Sequence, residues 1–149
     1  MKIAFGCDHG GFVAKEKLFQ YFDAKGYEVT DYGCFDENSV DYPDIAYPVC
    51  KDVKSESSDF GVLICGTGIG MSIVANKFKG VRCAHVTDEF SAEMTRRHNN
   101  TNVIALGARI TSVEDIIKFV DIFLNTPFDG GRHENRVNKI TQIEEENFN

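Results

Sequence analysis

Three glycines at alternate positions follow an apolar run in Cys65-Gly66-Thr67-Gly68-Ile69-Gly70-Met71. A glycine-rich turn that leads from a buried strand into a helix exposes main-chain N–H groups, with the positive helix end behind them. Such a turn suits an anionic oxygen, either a bound phosphate or an enediolate made during reaction. Cys65 separates a chemical role from a purely structural turn. Buried cysteines are mostly inert small hydrophobes, yet a thiol at the carboxyl end of a strand, beside a helix N-terminus, can ionise below its usual ~8.5 and act as base or nucleophile. Cys7 lies beside another candidate loop and is the second choice. Cys34, Cys50 and Cys83 read as packing or loop thiols.

Asp8-His9 follows the first apolar run, so both side chains are expected to face the crevice of Cys65. His98 stands at a helix end just before Asn99-Asn100-Thr101-Asn102 and is expected to reach the same crevice, where an imidazole can give and take protons near neutral pH. His85, inside a strand, and His133, on the last helix, read as structural. Arg132 and Arg136 lie four apart on a helix opened by Gly130-Gly131, so they project from one face either into solvent or onto a single phosphate. Arg109, after the fifth strand, is a third phosphate candidate. Cys7, Asp8 and His9 are consecutive and no second cluster has ligand spacing, so no metal is expected. A dinucleotide fingerprint would place its third glycine at Met71, although Asp88 lies near the offset where such a site carries an acid. The Lys-Ser or Lys-Thr ending of a P-loop is absent.

The surrounding pattern alternates strand and helix. Lys2–Gly6 is a short apolar run; Ala14, Leu18, Tyr21 and Phe22 then recur at helical spacing until Gly26. Tyr27–Tyr32 alternates as a second strand, and Pro43 suits the start of a helix to about Ser55. Phe60–Cys65 is continuously apolar, as a strand buried on both faces must be, and Gly68–Phe78 resumes a helical pattern. Val81–Val86 and Asn102–Leu106 complete five strands. Helices are expected from Asp88 to about His98, over Ser112–Leu124, and from about Gly131 to Glu146. Strands separated by helices pair in parallel, and ligands bind at the strands' carboxyl ends.

The 149 residues fit one domain spanning 1–149. Hydrophobic residues at 42% and charged residues at 26% exclude disordered and collagen-like classes. A net charge of -7 repels nucleic acid and acidic membranes, so an anionic ligand must be held by locally clustered cations and amides. No apolar run approaches the ~20 residues of a membrane span, and no basic segment followed by an apolar stretch opens the sequence. Five cysteines without a CxxC pair fit neither a disulfide framework nor a zinc ribbon. A cytoplasmic setting is expected.

Gly6-Cys7-Asp8-His9-Gly10-Gly11, the run from Gly61 to Ser72, Ala75-Asn76-Lys77, His98-Asn99-Asn100-Thr101-Asn102-Val103 and the run from Gly130 to Val137 together closely resemble the type B ribose-5-phosphate isomerases. The match spans nearly the whole chain. The resemblance implies a three-layer α/β/α Rossmann-like fold with a five-stranded parallel sheet, a homodimer or dimer of dimers, and no metal or organic cofactor. It implies interconversion of ribose 5-phosphate and ribulose 5-phosphate, in the non-oxidative branch of the pentose phosphate pathway. Galactose-6-phosphate and allose-6-phosphate isomerases belong to the same wider family. Galactose-6-phosphate subunits lack a histidine at the place of His98, so its presence favours the ribose enzyme, with allose 6-phosphate as a second substrate.

By the same resemblance Cys65 is the base at C2, His98 assists ring opening, and Thr67 relays a proton. Asp8 and His9 contact substrate, Gly66, Gly68, Ile69 and Gly70 belong to the amide cradle, and Asn99 holds a sugar hydroxyl. Arg109, Arg132 and Arg136 clamp the phosphate, the last two across a dimer interface against which the C-terminal helix packs. Two other classes stay open: a non-catalytic phosphosugar-binding module, and a thiol hydrolase with Cys65 as nucleophile.

Overall fold

The computed structural model describes residues 1–148. Five strands, β1 (Lys2–Cys7), β2 (Glu28–Asp31), β3 (Phe60–Cys65), β4 (Cys83–His85) and β5 (Val103–Gly107), form one parallel sheet in the order β2-β1-β3-β5-β4. Six helices surround it: α1 (Phe12–Lys25), α2 (Tyr42–Lys54), α3 (Ile69–Ala75), α4 (Glu89–Asn99), α5 (Val113–Asn125) and α6 (Arg132–Asn147). The three-layer α/β/α expectation therefore holds. No helix among the described residues is long and apolar enough to cross a membrane.

Residue alternation along the central strands assigns the layers, because successive side chains of a strand point to opposite faces. Phe5, Val62, Ile64, Ile104 and Leu106 face α1, α4 and α5, where Leu18, Phe22, Ala92, Ile116 and Phe123 complete one core. Ala4, Leu63, Cys65, Val103 and Ala105 face α2 and α3, and pack on Val49, Val53, Met71 and Ala75. The central strands are buried on both sides, which is why Phe60–Cys65 shows no polar alternation.

Helix ends follow the side-chain signals. Asp88 accepts Ser91 N–H at 2.7 Å and Ser112 accepts Asp115 N–H at 3.2 Å, each satisfying an orphan amide of α4 or α5. Three elements are shorter than their sequence pattern, β2 by one residue at each end and α3 and β4 by more. Instead of reaching Phe78, α3 ends at Ala75, because the Asn76 amide turns to clamp the sheet edge: it donates to Cys83 O at 3.0 Å and accepts Cys83 N–H at 2.9 Å. β4 is a strand only over Cys83–His85.

β1 and β3 are neighbours, yet the chain leaves β1 for α1 on one face and β3 for α3 on the other. This is the point at which parallel sheets open a crevice at their carboxyl edge. The end of β5 presses into it from the far side. A Cβ at Gly107 would lie 2.5 Å from the carbonyl carbon and oxygen of Thr67, a contact with main chain that cannot swing away. Gly107→Ala should therefore lower stability by about 1–3 kcal/mol, the usual cost of overpacking, measured from the urea-unfolding midpoint; an unchanged midpoint would mean that strand end and loop are not in contact.

Candidate active site

The carboxyl ends of β1, β3 and β5 are tied together by main-chain hydrogen bonds. Asp8 N–H donates to Ile64 O at 3.0 Å, Ala108 N–H to Cys65 O at 2.8 Å, and Arg109 N–H to Gly66 O at 3.0 Å. Asp8 is buried, and its Oδ1 accepts Gly10 N–H at 2.8 Å and Gly11 N–H at 3.2 Å, which folds the first loop down onto the second. His9 Nδ1 accepts Val40 N–H at 3.3 Å, so the neutral ring carries its proton on Nε2.

Cys65 forms the floor of this crevice, 5% exposed. Its Sγ accepts Gly68 N–H at 3.1 Å. A donor aimed at sulfur favours the thiolate. Among the other thiols, burial pushes Cys50 up to about 12, burial with the neighbouring Cys34 thiol pushes Cys7 up to about 12, and burial raises Cys83 as well. Gly68 sits at φ 81°, a left-handed conformation that costs a side-chain-bearing residue about 1–2 kcal/mol, and it allows the turn to fold its N–H back over the sulfur. Thr67 is exposed, with Oγ1 accepting Ile69 N–H at 3.2 Å. Arg109 lies across Gly66, its Cδ and Nη1 each 3.2 Å from where a Cβ would stand.

Two residues outside the sequence-derived set border this crevice. The Tyr42 ring covers Gly70, with its Cζ 2.7 Å from a notional Cβ there. His85 Nε2 lies 2.7 Å from Thr67 O. Neither is legible in the sequence, because both come from elements that reach the loop only through tertiary packing.

Within one chain, His98 does not share the crevice. Asp88 starts α4 near the carboxyl end of β4, and the helix then runs its 11 residues, about 16 Å at the helical rise, back past the sheet. Its far end is fixed beside the amino ends of β4 and β5. Arg82, just ahead of β4, donates to Asn99 O at 3.1 Å and to Asn100 O at 2.8 Å, and Asn102 Oδ1 accepts Arg82 N–H at 2.9 Å. His98 and Asn99 thus sit at the edge opposite Cys65. Arg132 and Arg136 sit with them: α6 packs on α4, Asp129 N–H donates to Arg97 O at 3.1 Å, and the His98 and His133 rings stack at 4.2 Å with planes 11° apart.

The structure therefore sorts the expected residues into two groups. Cys65, Thr67, Gly66, Gly68, Ile69, Gly70, Asp8, His9 and Arg109 form a thiol-and-amide half. His98, Asn99, Arg132 and Arg136 form an imidazole-and-guanidinium half, to which His133 belongs. Ligand atoms of His98, Asp129 and His133 lie within 4.8 Å of one another. Two near-parallel stacked rings direct their lone pairs along parallel planes, however, and Asp129 is already held by Arg97 at 3.1 Å. This trio is built to stack its rings and to pair its carboxylate with a guanidinium, a poor ligand set for a cation.

Known proteins resemble the chain over nearly its whole length. A family model described as Ribose/Galactose Isomerase matches residues 3–140. The chain is similar to the ribose-5-phosphate isomerase B of Escherichia coli (strain K12), 44% identical over 144 residues that cover 97% of each chain. It superposes on ribose-5-phosphate isomerase B of Clostridium thermocellum with a TM-score of 0.95 at 45% identity, covering 98% of this chain and 99% of that one. The ribose-5-phosphate isomerase B of Mycoplasma genitalium with bound ribulose-5-phosphate matches with a TM-score of 0.93 at 41% identity, over 97% of both chains.

Burial, His98, Arg132 and Arg136 together lower the pKa of His133 below its ordinary 6.5, against the opposing pull of Asp129. The unfolded chain then binds a proton that the fold refuses, so stability falls as pH drops below 6.5 and levels off only beneath the folded value. Between pH 7.5 and 5.5 the urea midpoint of the wild type should fall more steeply than that of His133→Gln at equal protein concentration. Equal slopes would show that this imidazole is not held neutral.

Proposed function

The chain belongs to the ribose/galactose isomerase family, and we propose that it is an aldose–ketose isomerase interconverting D-ribose 5-phosphate and D-ribulose 5-phosphate, at a site completed by a second copy of the same chain. The observation that carries this reading is the Cys65 sulfur held under the Gly68 N–H at the carboxyl end of the central strand.

Ribose 5-phosphate is mostly cyclic and has no free carbonyl to acidify its C2–H, so opening precedes proton transfer. His98 protonates the ring oxygen as the C1–O bond breaks, while an acceptor takes the proton of the C1 hydroxyl and the aldehyde forms. The Cys65 thiolate then removes the C2 proton. The released electron pair makes a C1–C2 double bond, and negative charge moves onto the C1 oxygen, where the amides of Gly66 to Gly70 stabilise it. Thr67 passes the hydroxyl proton from O2 to O1, the C2 carbonyl forms, and the Cys65 thiol returns its proton to C1. Asp8, His9 and Asn99 hold hydroxyls. Arg109, Arg132 and Arg136 hold the phosphate, whose binding energy fixes the reacting carbons near the sulfur.

A second copy is required because the two halves of the site lie at opposite edges of one sheet. A two-fold axis that sets the imidazole-and-guanidinium half of one protomer over the thiol-and-amide half of another completes two sites at once. Apolar side chains near both halves support such a contact: Ile69 and Ile73 on α3 are 50% and 57% exposed, and Ile143 on α6 is 61% exposed. The ribulose-5-phosphate held by the Mycoplasma genitalium relative favours a five-carbon substrate over allose 6-phosphate or galactose 6-phosphate. Five free cysteines suit a reducing cytoplasm.

Cys65→Ala and His98→Ala should each lower kcat with ribose 5-phosphate by about 10²–10⁴-fold, as expected on loss of a general base or acid. Refolded together in equal amounts, the two inactive variants should recover about a quarter of wild-type activity, since half of randomly formed dimers carry one intact site of two. Full activity of Cys65→Ala would remove the assigned base. Failure to recover activity in demonstrated mixed dimers would confine the site to one chain.

A further inference from the structure

Thr67 and Gly68 share one peptide unit, and both of its polar ends are engaged. The carbonyl oxygen of Thr67 lies 2.7 Å from His85 Nε2, and the N–H of Gly68 lies 3.1 Å from Cys65 Sγ. A carbonyl can only accept, so His85 must carry a proton on Nε2 and donate it. In a planar trans peptide the carbonyl and the following N–H point to opposite sides. A donor that fixes the oxygen therefore also fixes the direction of the N–H.

This peptide needs fixing. Gly68 is in the left-handed region at φ 81°, and glycine samples either sign of φ at little cost, so nothing intrinsic to the chain opposes rotation of the unit. Rotation would turn a carbonyl oxygen, with its partial negative charge, toward the sulfur that must ionise. The His85 ring also closes the space around the turn: a Cβ at Gly68 would lie 2.8 Å from His85 Cδ2 and 2.8 Å from the carbonyl carbon of Leu106. His85 itself belongs to β4, whose Cys83 is clamped by Asn76, so its position is set by the sheet edge and not by the loop it holds.

We propose that His85 is a positioning residue for the isomerisation: its Nε2–H anchors the Thr67 carbonyl and thereby aims the Gly68 N–H at the Cys65 sulfur. The inference rests on Cys65 being the base. It assigns His85 no contact with substrate, so its loss acts on turnover and not on binding.

Two side chains of similar length separate a donor from a spacer. His85→Gln keeps an N–H near the place of Nε2, whereas His85→Met fills the space and cannot donate. With ribose 5-phosphate, His85→Met should lose about tenfold in kcat, the lower end of what a hydrogen bond to a charged group contributes, with KM changed less than about threefold. His85→Gln should stay within about threefold of wild type in both. Alkylation of Cys65 by iodoacetamide, followed by the mass of its peptide, should slow in His85→Met and not in His85→Gln. If His85→Met does not fold, His85→Asn replaces it, because its amide stops short of Thr67 O. Wild-type kcat in the Met or Asn variant, or equal losses in the Gln and Met variants, would overturn the proposal. Cys65→Ala separates the two readings: turnover retained there removes the base itself, whereas an inactive Cys65→Ala beside a normal His85→Met removes only the positioning role.

Discussion

One hydrogen bond, from the Gly68 amide to the Cys65 sulfur, organises the chemistry of this protein. A thiol at the end of a buried strand would ordinarily be a small hydrophobe, as Cys50 is, with burial holding its proton in place. Turning a main-chain donor onto the sulfur opposes that cost without placing a cation in the apolar floor. The remaining structure makes the turn possible. β3 delivers the sulfur to the crevice between β1 and β5, glycine at 68 supplies a backbone angle that other residues rarely adopt, and the absence of a side chain at Gly107 lets the neighbouring strand back the loop directly. These are rigid elements, which suits a site whose amides must already be in place when charge appears on the substrate oxygen.

A second constraint comes from the direction of the chain. In an alternating parallel fold each helix carries its sequence away from the edge where its preceding strand ended, so residues at helix C-termini collect at the opposite side of the sheet. His98 and Asn99 are placed that way by α4, and Arg82 locks them there. The result is a protomer with Cys65 and its glycine turn on one side and His98, Arg132 and Arg136 on the other. On the proposed reading association of like chains follows, since neither half alone could open a ring and move a proton. On the same reading a net charge of -7 is compatible with an anionic substrate, because Arg132 and Arg136 are grouped locally on α6.

Much of this was legible in the sequence, for identifiable reasons. The buried strand Phe60–Cys65 and the alternate glycines after it are short-range patterns, and they located the thiol and its cradle without tertiary information. Asp88 and Ser112 marked helix starts through capping chemistry that is local by nature. His98 does not share the crevice of Cys65 within one chain, and the signal for this is present in the sequence: a capped helix beginning at Asp88 has to carry His98 to the far edge. His85, Tyr42 and His133 were beyond reach of the pattern, since a carbonyl contact, a ring over Gly70 and a ring stack on His98 arise only when separate elements meet. The shortened α3 and β4 belong to the same class, because the Asn76 clamp joins them across seven residues of sequence.

If the Cys65 sulfur moves hydrogen between C1 and C2, that hydrogen can exchange with solvent while it rests on sulfur. Incubating ribose 5-phosphate with the assembled protein in deuterium oxide and recovering the aldose tests it most directly by NMR. Deuterium is expected at C2 with the wild type, and no exchange with Cys65→Ala, which should still bind the sugar phosphate. Exchange at C2 by Cys65→Ala at the wild-type rate would contradict it.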